Sequence, residues 1–249
     1  MVRWCHGEAK AKMLDLLKEV AHLGYLDAWP TEGEDLFALL RGIDGLRKGA
    51  IWAGIRSLEE VTGWHPLAAK LLAKYVSEDV LLNTAAELYH NAFERNSRLL
   101  LVLGSLLGPA ALAVPAYFAV ASRFVTRVVG LRYGERCREL AALKPGMPVY
   151  LVREPENRCD PNAVAVFAPW GRHLGYLRAP LAAALSARCA AGEAFAARVA
   201  AVLGPGCDPN ERLHIEVWRE VDPEGLVFAA SGEPVAGAEP ARFPSPRAD

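Results

Sequence analysis

The sequence predicts an α+β chain in which a helical bundle is followed by a small barrel or curled sheet. Three observations predict it. Residues 1–98 carry apolar stripes at helical spacing, residues 99–122 hold no charged side chain, and from Arg123 onward the apolar period changes to two. At 249 residues and 52% hydrophobic composition, the chain is long enough to bury a sizeable core.

The helices come first. "GEAKAKMLDLLKEVAHLGYL" places Met13, Leu16, Leu17, Val20 and Leu23 on one stripe. "TEGEDLFALLRGI" opens with Thr31 and has Glu34 three positions later, a capping-box spacing. "RKGAIWAGIRSLEEVTG", "HPLAAKLLAKYV" and "SEDVLLNTAAELYHNAFERN" continue the pattern. Their Leu, Trp and Ala stripes read as core, and His22, His65 and His90 stand alone.

The uncharged run "LLLVLGSLLGPAALAVPAYFAVAS" admits two readings. Its length suits a membrane span. Pro109 and Pro115 interrupt it, however, and each removes a backbone hydrogen bond that lipid cannot replace. The other reading is a buried helix ending near Gly108, followed by an Ala/Pro connector.

Strands follow at "RFVTRVVGLRY", "MPVYLVRE", "NAVAVFA", "RHLGYL", "FAARVAAVLG" and "LHIEVWRE", separated by Gly, Pro and Asp-Pro turns. One helix interrupts them, "APLAAALSARCAAG", with Pro180 near its start and Gly192 at its end. Residues 221–249 are acidic and rich in Pro, Gly and Ala, as a flexible tail is, and "LVFAA" within them has the composition of one extra strand. The organisation expected is therefore a helical domain at 1–98, a connector or span at 99–122, a barrel at 123–220 and a tail at 221–249.

Charge is unevenly spread. The formal net charge is -1, yet residues 123–220 hold 14 basic against 10 acidic side chains, and 13 of those cations are arginine. The planar guanidinium fork suits phosphate and carboxylate oxygens, which points toward an anionic partner, although an arginine-for-lysine bias of composition accounts for it equally well. Five cysteines form no CxxC pair, and the N-terminus has no apolar leader, so reduced cytoplasmic thiols are expected rather than disulfides. His173 and His214 lack ligand spacing, so no metal or other cofactor is expected. Cys159, Asp160 and His173 carry no local signature of a thiol nucleophile, and no G-x-x-x-x-G-K-[ST] string occurs. No catalysis is expected.

One polar corner stands out, "REPENRCDPNAV" at Arg153–Val164. Asp160-Pro161-Asn162 reads by itself as a turn in which the aspartate accepts a backbone N–H two residues on. Arg153 and Glu154 are positioned to pair across the strand end. Taken together, "TRVVGLRYGE", "VYLVREPENRCDPNAVAVF", "GRHLGYLRAPLAAAL" and "LHIEVW" resemble, in order and spacing, the HIRAN domain over about residues 123–220. The resemblance implies a modified OB-like barrel that binds single-stranded DNA and, in a characterised eukaryotic member, captures the 3'-hydroxyl end, so a non-catalytic adaptor in DNA repair or replication is expected.

On that reading Asp160 accepts the terminal hydroxyl, and Asn157 contacts the last nucleotide. Arg132 and Arg178 hold phosphates, while Tyr133 and Tyr176 offer stacking faces. The chain departs from the family pattern at Gly134 and Cys159, where aromatic residues stand in the characterised member, and at Glu156, where asparagine stands. These departures put the 3'-end activity in question and favour, as the rival, a protein-interaction module on the same barrel. The helical region is expected to recruit an unknown protein partner. A membrane-tethered form through 99–122 is the alternative to a cytoplasmic one.

Overall fold

The computed structural model describes residue 18 and residues 33–64, 66–91 and 97–220. The expected helix at 7–26 apart from residue 18, Thr31 of the capping box and the whole tail from 221 lie outside the described residues. The helices are α1 (Gly33–Arg47), α2 (Ile51–Glu59), α3 (Pro66–Tyr75), α4 (Glu78–Tyr89), α5 (Arg98–Leu107), α6 (Tyr117–Val120), α7 (Arg136–Glu139) and α8 (Ala179–Ala190). The strands are β1 (Arg123–Arg127), β2 (Pro148–Arg153), β3 (Val164–Phe167), β4 (His173–Tyr176), β5 (Phe195–Val202) and β6 (Leu213–Arg219).

All six expected strands form, and all pairings are antiparallel, in the order β1-β6-β5-β2-β3-β4. The sheet curls until its ends meet. Val129, just beyond β1, exchanges both backbone hydrogen bonds with Tyr176 of β4, each at 2.9 Å. Val149, Val164, Val166, Leu174, Val199, Ile215 and Val217 fill the interior, as alternation along the strands requires. Between β4 and β5, α8 buries Leu181, Ala182 and Leu185, and Gly192 beyond its end takes φ 93°.

The helical layer and the barrel share one continuous core. The run expected to be a connector is helical as far as Val120. α5 ends at Leu107, Gly108 turns at φ 52°, and a 3-10 segment, Gly108–Ala116, leads into α6. Ser97 caps α5 by accepting from the Leu100 N–H, and Glu59 accepts from both Ser97 Oγ and the Leu99 N–H. At the far end Arg188 of α8 donates to the carbonyls of Phe118 and Ala121, a cation at a helix C-terminus that ties the run to the barrel.

Two devices join the layers. The Asn83 amide of α4 pairs with β1 as a further strand would, donating to Val125 O at 2.9 Å and accepting from Val125 N at 2.8 Å. It thereby covers an otherwise open strand edge. The second device is a buried polar cluster. Trp52 of α2 donates its indole N–H to Glu87 Oε2 and its backbone N–H to His214 Nε2. Arg127 lies over the Trp52 ring, 4.0 Å from its centroid, and reaches toward Glu211, which Arg56 grips with two hydrogen bonds.

Burial pulls the pKa of His214 down to about 4; Glu87 opposes the shift and Arg127 adds to it. The unfolded imidazole takes up its proton near pH 6.5, whereas the folded one resists until about 4. Between those values the unfolded state binds more protons, so stability falls as acid is added. The loss reaches about 3 kcal/mol by pH 4. Urea unfolding across that window checks it, and His214→Gln is expected to flatten the slope.

Candidate functional site

Three segments converge where the barrel closes: the turn at 130–136 after the Val129 bridge, the corner at 154–162 between β2 and β3, and the strand β4. Gly130 begins the first turn at φ 81°, and its N–H is held by Asn210 Oδ1. Arg136 folds back across the turn, donating to Gly130 O at 3.0 Å and to His173 Nδ1 at 3.2 Å. His173 Nε2 meets Gly175 O at 2.9 Å, so the partners place the ring proton on Nε2. Burial and then the Arg136 charge lower the His173 pKa, which favours this neutral ring.

Tyr176 sits among these groups. Arg136 lies over its ring at 5.6 Å, the His173 ring meets it edge-on at 4.7 Å, and its hydroxyl donates to Glu154 Oε2 at 3.2 Å. Burial first, and Glu154 second, raise the pKa of the phenol. Glu154 also accepts from Asn157 Nδ2 at 2.7 Å, and so binds the corner to β4.

The corner is shaped by its own side chains. Asn157 Oδ1 accepts from the N–H groups of Cys159 and Asp160, and Asp160 Oδ1 accepts from the Asn162 N–H at 2.8 Å. The turn expected at Asp160-Pro161-Asn162 is therefore present. Among the described residues, Asp160 Oδ2 has no partner. Glu156, Arg158 and Cys159 are exposed around it.

Five of the six residues singled out from sequence divide in three. Arg132 and Tyr133 are exposed on the first turn; Tyr133 is 65% exposed, and Arg132 contacts Asp208 at 3.4 Å, both partners in solvent. Asp160 and Tyr176 are half-buried, and Tyr176 has one ring face occupied by Arg136. Asn157 supplies its amide to Glu154 and its oxygen to the loop, so it shapes the corner rather than reaching outward.

Arg178 does not stand behind these residues as a phosphate ligand. It is 7% exposed and lies against the helical layer, with Nη2 2.8 Å from Oε1 of the fully buried Glu87. The contact is an ion pair by distance without an aligned hydrogen bond. Nor do Arg153 and Glu154 pair, since Arg153 Nε donates to Ser186 Oγ. Sequence reasoning missed Arg136, whose position three residues beyond Tyr133 on a Gly-bounded turn was the available signal. Among the described residues no group of three or more His, Cys, Asp or Glu side chains is placed to hold a metal.

Residues 122–222 match the family description "HIRAN domain". Among solved structures, a protein from Lactobacillus plantarum is 28% identical, with 38% of this chain and 89% of that one covered and a TM-score of 0.34. The HIRAN domain of human HLTF is 26% identical, with 40% and 77% covered and a TM-score of 0.29. No curated protein matches the chain. HIRAN is a DNA-binding domain family, so the match supports nucleic-acid binding in general, by a binding domain rather than a catalytic one.

Proposed function

Starting from a HIRAN domain over residues 122–222, we propose that the converged rim binds single-stranded DNA and receives a free 3'-hydroxyl end. The observation that carries this reading is the Asp160 carboxylate. Its own turn fixes one oxygen, and the other is left without a partner. A terminal deoxyribose offers its 3'-hydroxyl as a donor to that oxygen, whereas a terminal phosphate meets like charge.

Arg132, Arg136 and Arg158 supply the cations around the corner, and the exposed Tyr133 supplies a stacking face. Because Arg178 is paired inside the molecule, the phosphate contacts fall to these three. The helical layer acts as the adaptor half of a non-catalytic repair or replication protein, with the cytoplasm as its compartment.

The exposed Glu156 and Cys159 favour the rival reading, a barrel that docks protein. A salt titration of oligonucleotide binding separates the two. Two or three phosphate contacts to a single strand give a slope of log affinity against log salt of roughly -1.4 to -2. A slope near zero, or no binding at low salt, contradicts the DNA reading.

A further inference from the structure

The helical run from Arg98 to Val120 is long and apolar enough by composition to cross a membrane, yet it belongs to the folded core on one side only, with 22% of its most apolar window buried. Leu99, Leu103, Leu107, Val114, Tyr117 and Phe118 face inward. The outward side carries Leu101, Leu112 and Val120, exposed by 75%, 85% and 70%, among Pro109, Ala113 and Ala119. No charge interrupts it from 99 to 122. Ser105 is the exposed hydroxyl on α5, and it donates to Val102 O within the run.

A second observation lies beside its C-terminal end. Val120 and Ala121 form part of the wall of a cleft of about 690 Å³, whose other walls bring Arg47, Lys48, Arg123 and Arg198 together. Two acids, Asp79 and Glu216, lie among the four cations, and Lys48 is paired with Asp44 one turn earlier on α1. Arg123 and Arg198 share Glu216, at 2.9 and 2.7 Å, while Arg47 is exposed and has no partner among the described residues. An uninterrupted apolar face thus ends in a cationic rim.

Protein interfaces distribute hydrogen-bonding groups through their apolar area, and this face presents almost none to a partner. With no basic side chain between 99 and 122, the face offers nothing to a phosphate backbone. An apolar face with cations at its border fits the acyl and headgroup zones of an anionic bilayer. We propose that the protein docks on an anionic membrane surface, with the 98–120 run lying in the plane of the interface and Arg47 and Arg123 meeting lipid phosphates. A spanning arrangement does not fit the fold, because it strips Leu103, Tyr117 and Phe118 from the core and the Tyr117 hydroxyl from Asn83.

The test is co-sedimentation of the full chain with phosphatidylcholine vesicles, with and without phosphatidylglycerol, after subtracting pelleting in their absence. Pelleting is expected with the anionic vesicles. The Leu101→Glu, Leu112→Glu double variant, altered only at exposed positions, should keep its thermal melt and its oligonucleotide binding. Its vesicle partition should fall by about tenfold or more. Arg47→Glu should reduce the preference for phosphatidylglycerol. No pelleting of the wild type, equal pelleting of the double variant, or a wild-type dimer in light scattering that the double variant converts to monomer would overturn the proposal.

Discussion

Glu87→Ala is expected to lower folding stability by about 3–5 kcal/mol, because it leaves buried charge without compensation. Glu87 is fully buried and serves two groups from different parts of the chain: the Trp52 indole N–H at 3.0 Å and the Arg178 guanidinium at 2.8 Å. Removing it strands a 7%-exposed guanidinium, and Arg127, which shares the same cluster, loses one of the acids that favour its charge. Exposed pairs give the scale for comparison. Arg41→Ala, which breaks the solvent-facing contact with Glu60, should cost about 1 kcal/mol or less. Urea unfolding at constant slope measures both. Glu87→Leu combined with Arg178→Met is expected to cost less than Glu87→Ala alone, since the pair leaves together and an apolar contact takes its place.

Gly175→Ala is expected to open the barrel where its ends join. A Cβ at Gly175 stands 2.9 Å from Val128 Cγ1 and closer still to the Val129 carbonyl oxygen. That oxygen accepts the Tyr176 N–H, half of the bridge between β1 and β4, so relief of the clash moves backbone rather than a side-chain tip. The expected cost is about 3 kcal/mol or more, at the upper end for an overpacked site. Because Tyr176, Arg136 and His173 are arranged around this bridge, oligonucleotide binding should fall even under conditions in which the variant remains folded. Gly134→Ala provides the control. No atom lies within 4 Å of its added Cβ, so only the strain of φ 60° is felt, about 1 kcal/mol. Equal stability of the Gly175 and Gly134 variants, measured by thermal melting, would contradict the closure described above.

The strands were legible because alternation and Gly/Pro turns are local. So was α8, since Pro180 and Gly192 mark its ends in the chain itself. The Asp160 turn was legible for the same reason: an aspartate oxygen has the N–H donor two residues on within reach. Arg178 was misread because nothing near it in sequence tells a guanidinium bound for solvent from one bound for Glu87, which lies on a helix in the other half of the chain. The bond from the Asn157 amide to Glu154 was not legible either, since it forms only after the corner has folded. The run at 99–122 showed its apolar character but not its two-sidedness, because Leu or Val at seven of the ten positions of α5 hides which face the core selects. Gly175 read as one residue of a strand, and only the closing of the barrel shows that a side chain there has no room.

The most direct test of the DNA reading is an anisotropy titration of the full chain with two short single strands, identical except for a 3'-hydroxyl or a 3'-phosphate, in wild type and Asp160→Ala. The wild type is expected to prefer the hydroxyl end by about tenfold, the worth of one charge-assisted hydrogen bond, and the variant to lose that preference. Equal wild-type affinity for the two ends, or a preference that survives the substitution, would contradict the account.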